Sequence, residues 1–153
     1  MQTMTEEIKD VLRSNVGYLA TSSPYGKPNV VPVGLVEPIS DDEVLLVDVR
    51  FNKTRTNLEN NREVALAVSD LSKLQAYQLK GKAEVFASGE MFEKVKEIMA
   101  QRAVRKRVLM EKRLEETQDP DLKKKLLERM QKHGKLRAKA AVLVKISEIY
   151  STM

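Results

Sequence analysis

Residues 76–87 alternate without a break. Tyr77, Leu79, Gly81, Ala83, Val85 and Ala87 fall on one side, and Gln78, Lys80, Lys82 and Glu84 mostly on the other. A period of two with one polar side describes a half-buried antiparallel strand. Such a strand needs partners, and the sequence supplies apolar runs of similar length. They are Val16–Thr21, Val30–Val36, Glu43–Val49, Glu63–Val68 and, after a long helical stretch, Ala140–Ile146. Six short strands joined by tight turns predict a small antiparallel barrel, mainly β with α, rather than a series of βαβ units.

The punctuation between these runs agrees. Ser22–Pro28 is a turn, because proline presets φ and Gly26 permits positive φ. The strand that follows carries Pro28 and Pro32. Each removes a ladder donor, so part of this strand must be an edge, a bulge or a wall facing a ligand. Pro38–Asp42 is a second turn. Val44–Val49 is apolar almost throughout, which predicts that both of its faces are covered. Ahead of the first strand, Thr3-x-x-Glu6 reads as a capping box for a short helix with Ile8, Val11 and Leu12 on one face.

From residue 90 the periodicity changes. Met91, Val95, Ile98 and Met99 mark a helical face, which Val104, Val108, Leu109, Met110 and Leu114 continue less regularly. Asp119-Pro120 starts a second helix lined by Leu122, Leu126, Leu127 and Met130 and ended by His133-Gly134. This predicts a helical hairpin over about residues 90–134, inserted before a final strand at about 138–150 that rejoins the barrel. No linker-like composition interrupts the chain, so residues 1–153 read as one domain.

Several functions are excluded at once. With no cysteine and one histidine, His133, the chain cannot build a thiolate zinc site, a disulfide or a multi-histidine metal site within one subunit. No apolar run approaches the roughly 18 residues of a membrane span. Glu6, Glu7 and Asp10 stand where a signal peptide would carry its apolar core, which gives the expectation of a soluble cytoplasmic protein. The net charge of +5 is unevenly placed. Residues 1–89 hold 10 basic and 12 acidic side chains, residues 90–140 hold 16 and 9, and residues 141–153 hold one of each. The basic character belongs to the hairpin. Its acids interleave, and no aromatic residue lies between Phe92 and Tyr150, so Lys123-Lys124-Lys125 and Arg102–Arg107 read as a solvated face rather than a nucleic-acid surface.

The candidate ligand site is Asn52-Lys53-Thr54-Arg55-Thr56-Asn57-Leu58, a basic and hydroxyl-bearing segment set between strands. Lysine and arginine supply charge, and threonine and asparagine supply neutral donors. A segment turning into a helix also exposes free backbone N–H groups. Together these suit a phosphate. A helical turn with solvated charges is the alternative reading of the same residues.

Taken in order, four segments carry a family resemblance. They are Leu19-Ala20-Thr21 with Gly26–Val33, Lys53–Leu58 with Val64-Ala65-Leu66, Gln78–Glu84, and the closing strand into Glu148-Ile149-Tyr150. Their order and spacing resemble the FMN-binding split-barrel family related to pyridoxamine 5'-phosphate oxidase. The hairpin lies outside the common pattern.

The resemblance implies a six-stranded split barrel forming a homodimer, with FMN at the subunit interface. It would place the flavin phosphate on Lys53, Thr54 and Asn57, with Arg55 as an extra contact. The ring would lie against the backbone of Val31, Pro32 and Val33. The loop Asp48-Val49-Arg50-Phe51 would sit beside the ring or the ribityl chain, and Gln78 could reach a flavin from the partner subunit. FMN would carry out hydride or electron transfer, with no catalytic acid or base required of the chain. Members with true pyridoxamine phosphate oxidase activity end in an arginine-containing segment, whereas this sequence ends Ile149-Tyr150-Ser151-Thr152-Met153; the expectation is therefore a different FMN-dependent reaction. Related barrels bind deazaflavin or haem, but no barrel residue here is a histidine able to serve as an axial haem ligand. The remaining alternative is a non-catalytic split-barrel module that binds deazaflavin, or that binds an acidic partner or nucleic acid through the basic hairpin.

Overall fold

A computed structural model describes residues 2–153. The chain runs α1 (Glu6–Ser14), β1 (Gly17–Ser22), β2 (Pro28–Val33), β3 (Val36–Pro38), β4 (Glu43–Asp48), α2 (Asn52–Asn60), β5 (Glu63–Asp70), β6 (Gln75–Phe86), α3 (Glu90–Glu116), α4 (Pro120–Gly134) and β7 (Ala140–Ser151), with one 3-10 turn at Leu71–Lys73. The strands form one seven-stranded antiparallel sheet in the order β2-β1-β5-β6-β7-β4-β3. The two edge strands, β2 and β3, are consecutive in sequence and joined only by Gly34 and Leu35. A seven-stranded sheet whose edges lie two residues apart must curl until those edges approach. No ladder joins β2 to β3 among the described residues, so the barrel is split along that seam.

The sequence predicts six strands, and the extra one comes from Val30–Val36, expected as a single strand. Val33 pairs with Gly17 of β1, whereas Val36 pairs with Leu46 of β4. The backbone changes partner at Gly34-Leu35, and one predicted strand becomes both edges of the seam. The start of α1 also differs. Thr5, not Thr3, is the N-cap, and its hydroxyl accepts the Ile8 N–H at 3.3 Å. Glu6 and Glu7 then occupy the first turn, where the positive end of the helix favours them.

Alternation builds the core. Val31, Leu19, Leu66, Leu79 and Ile149 lie opposite one another across β2, β1, β5, β6 and β7. All five belong to or pack against one inner cluster, with Leu12, Val44, Leu46, Phe51 and Val144. As expected, β4 is covered on both faces. Val44 and Leu46 point inward, and Leu45 and Val47 join a second cluster with Val95, Phe92, Ile98 and Met99 of α3. The hairpin is therefore anchored by the first half of α3 on the outside of β4 and β7. Beyond that anchor its packing is thinner than the periodicity implies: Leu126 is buried, but Val104, Val108, Leu109, Leu122 and Leu127 are exposed. Among the described residues no helix is long and apolar enough to cross a membrane.

Candidate functional site

The basic segment expected as a turn is a helix from its first residue, α2, and buried polar contacts fix its position. Asp48, at the end of β4, is 2% exposed. One of its oxygens accepts the Phe51 N–H at 2.9 Å, and the other accepts from Arg55 Nη1 at 2.7 Å. Further along the helix, Thr54 Oγ1 accepts from Asn29 Nδ2 at 3.0 Å, and Asn57 Nδ2 donates to Thr21 Oγ1 at 3.0 Å. Thr21 and Asn29 are themselves register partners across β1 and β2. Residues three apart on one helix face thus meet a pair of polar side chains facing each other on the sheet. These pegs hold α2 against the open end of the barrel.

The expected phosphate ligands consequently divide. Thr54 has no exposed surface and Asn57 is buried, so both hold the helix to the strands. Arg55 is partly exposed, with its charge set against Asp48. Lys53 and Arg50 are exposed. Among the described residues neither has a carboxylate within ion-pair distance, and the first turn of α2 contains no acid. In the loop expected beside the ring, Arg50 alone is exposed: Asp48 and Phe51 are buried, and Val49 packs against the outer cluster.

Strand β2 runs from this helix toward the seam. Its hydrogen-bonding phase follows from the adjoining hairpin, where the Ser23 N–H donates to the Lys27 carbonyl at 2.9 Å. Counting along the register makes Thr21/Asn29, Leu19/Val31 and Gly17/Val33 the bonded pairs. The alternate positions, Pro28, Val30 and Pro32, then turn their backbone groups to the open edge. That edge offers three carbonyls and a single N–H, from Val30, because proline has none. The prolines also prevent another strand from adding there. The backbone polar groups of Val31 and Val33 are directed to β1, and their side chains point inward.

Beside this edge lies the outer face of the sheet. Pro32, Tyr18, Ala67, Gln78 and Tyr150 are opposite one another across five strands. Val30, Ala20 and Ala65 form the next row. Val30, Tyr18 and Tyr150 are 63%, 51% and 43% exposed. A shallow depression here is lined by Tyr18, Ala67, Ala76, Tyr77 and Gln78. Gln78, which the family resemblance brings toward a flavin across an interface, stands on this face.

The other edge of the seam is capped. Arg102 of α3 donates to the Val36 carbonyl at 3.2 Å and pairs with Glu37. One turn further on, Lys106 reaches Gly34: its Nζ lies 3.6 Å from where a β-carbon on that glycine would stand. Lys106 is an exposed residue; partial desolvation of its ammonium, with Arg102 adding repulsion, holds it below the ordinary lysine pKa. The sequence places both in the run Arg102–Arg107, read there as a solvated face; Arg102 instead bonds Val36 and Glu37, which its many similar neighbours gave no signal of. Sequence reasoning also missed Thr21 and Asn29, although a polar residue at an inward position of each strand was a readable signal. The single histidine, His133, is exposed in the last turn of α4.

Comparison with known proteins fits this geometry. A curated relative, an uncharacterized protein of Methanocaldococcus jannaschii, is 30% identical over 150 residues, covering 97% of this chain and 80% of the relative. Among solved structures, HupZ of Group A Streptococcus superposes with a TM-score of 0.70 at 21% identity, covering 97% of this chain and 94% of that one. An FMN-binding protein of Syntrophomonas wolfei superposes at 0.62 with 18% identity, covering 97% and 88%. More distant chains with the same fold include an F420 reductase, at 0.53, and the haem storage protein HutZ of Vibrio cholerae, at 0.59. The family model described as pyridoxamine 5'-phosphate oxidase matches residues 4–152. A split antiparallel barrel and a match over almost its whole length place this chain in the pyridoxamine 5'-phosphate oxidase family.

Proposed function

We propose that this protein binds FMN along the open edge of β2, with its phosphate at the start of α2, and serves as a flavoprotein in hydride or electron transfer. The observation that carries this reading is the pairing of two features. Exposed Lys53 and Arg50 stand at the start of a helix pegged rigidly in place, and beside it runs a strand edge whose carbonyls are unpaired. A dianionic phosphate needs charge-assisted donors, and a planar ring needs an apolar wall with a few backbone groups. Lys53 and Arg50 would hold the phosphate, with Arg55 nearby. Thr54 and Asn57 would contribute by fixing the helix, and Val30 and Pro32 would face the ring. Bound FMN would supply the redox chemistry; the chain binds, orients and shields it.

The same reading calls for a second copy of the chain. The exposed positions Pro32, Tyr18 and Ala67, with half-buried Gln78 beside them, are continuous with the β2 edge, so a partner barrel seated on this row would wall the trough. The test is direct. The purified protein is denatured, and the mass and absorbance of any released ligand are measured. Recovery of FMN supports the proposal. Haem or F420 as the tightly held native ligand would replace it.

A further inference from the structure

Two surfaces of this chain lie uncovered, and their chemistry matches. The first is the underside of the hairpin. Helix α3 is about 40 Å long at ~1.5 Å per residue, and one stripe of it, at spacings of three and four, faces the barrel. Met91, Val95 and Ile98 pack in the outer cluster. Arg102 then bonds the Val36 carbonyl, and Lys106 reaches Gly34 at the seam. The next members of the stripe, Leu109 and Arg113, are exposed, because the sheet ends at β3 and the helix continues. Arg113 also lines a depression at the tip of the hairpin with Thr117 and Leu122. Helix α4 buries only Leu126, so the two helices share a thin core that a third surface would complete.

The second surface is the turn between β5 and β6. Leu71 and Leu74 are 71% and 74% exposed there. Hydrogen bonds hold the turn in place. Asp70 accepts the Ser72 N–H at 3.1 Å, and the Leu74 N–H donates to the Leu71 carbonyl at 3.3 Å. Asn15, at the end of α1, also donates to Asp70 at 3.3 Å. Leu74 has a φ of 52°, in the left-handed region that a bulky residue rarely occupies and glycine enters freely. A leucine held at that φ costs its own chain stability without burying its side chain.

We propose that the Leu71–Leu74 turn of one copy docks on the hairpin overhang of a second copy, around Leu109 and Arg113. Charge favours the pairing. Residues 90–140 hold 16 basic and 9 acidic side chains. Beside the turn, α1 exposes Glu6, Glu7 and Asp10, and Gln75 bonds Glu7; Lys73 is the turn's own cation. Position favours it as well. Gly34 and the β5–β6 turn lie at the same end of the sheet, on either side of the row proposed to seat a second copy. With two such rows stacked, a twofold axis along the strands carries each overhang to the partner's turn, so the contact forms twice. The inference deepens the two-copy part of the functional reading and rests on it, but it needs no flavin.

The chain has no cysteine, so introduced cysteines report the contact directly. The full chain carrying both Leu74→Cys and Leu109→Cys is treated with a short bis-maleimide. A covalent dimer is expected, and each single variant should give far less. A loop closed within one chain, or no cross-link, overturns the inference. Leu74→Gly relaxes the backbone, so the barrel should stay folded by circular dichroism. The dimer's dissociation constant should nevertheless rise about tenfold in sedimentation. An unchanged constant would also overturn the inference. So would a Leu109→Asp chain that dimerises normally but loses binding to random RNA, which would assign the overhang to nucleic acid. Released flavin is measured separately. Cross-linked dimers without FMN defeat the flavoprotein reading and leave this contact standing; FMN without the cross-link does the reverse.

Discussion

Lys53 is the residue whose role can be separated most cleanly from folding. It is exposed on the first turn of α2 and takes part in none of the contacts that peg the helix. Removing it should leave stability nearly unchanged while deleting one charge-assisted contact worth about 1.5–3 kcal/mol. Lys53→Ala should therefore weaken FMN affinity roughly tenfold or more in a fluorescence titration. Unchanged affinity would put the phosphate elsewhere. Asp48 should behave in the opposite way. Its carboxylate holds the Phe51 N–H and Arg55 together. Asp48→Ala should cost about 1–3 kcal/mol, the lower part of that range if the partly exposed Arg55 finds water. Denaturant unfolding would show this as a lower midpoint, and a midpoint equal to wild type would mean that α2 is positioned without it. The contrast explains what the sequence could and could not convey. Lys53, Thr54, Arg55 and Asn57 were identifiable as a polar segment between strands. Which of them face solvent and which are spent on Asp48, Asn29 and Thr21 depends on contacts with residues distant in the chain.

At the level of the elements, β7 holds the sheet together. It pairs with both β6 and β4, so without it the sheet would fall into β2-β1-β5-β6 and β4-β3. Its fit to β6 depends on one position. The register shifts between Lys80 and Gly81, and a β-carbon on Gly81 would overlap the carbonyl of Lys145. Gly81→Ala must push two paired backbones apart, an effect of about 1–3 kcal/mol or more. Thermal unfolding should report a clear drop in Tm, and a Tm equal to wild type would show that the bulge relaxes freely. Most elements were readable from periodicity, including the clean alternation of β6, the double coverage of β4 and the hairpin's boundaries. The division of Val30–Val36 was not. Both halves are apolar and extended, and only their partners, Gly17 on one side and Leu46 on the other, distinguish them.

At the scale of the whole molecule, the account joins a cofactor trough to an assembly. In the outer row, Pro32, Tyr18 and Ala67 leave apolar surface in water on an isolated chain, and the proposed partner covers it. Ala67→Arg, at the centre of that row, should convert a dimer to a monomer in sedimentation without unfolding the barrel, because Ala67 points outward. FMN affinity should fall with it, since the trough would lose its outer wall. A dimer that survives this substitution would locate the interface elsewhere. The most direct measurement of the central claim is the mass of the intact, natively purified protein under non-denaturing conditions. The account predicts a dimer carrying one FMN per chain. A monomer without flavin, or an assembly whose bound mass is that of haem or F420, would contradict it.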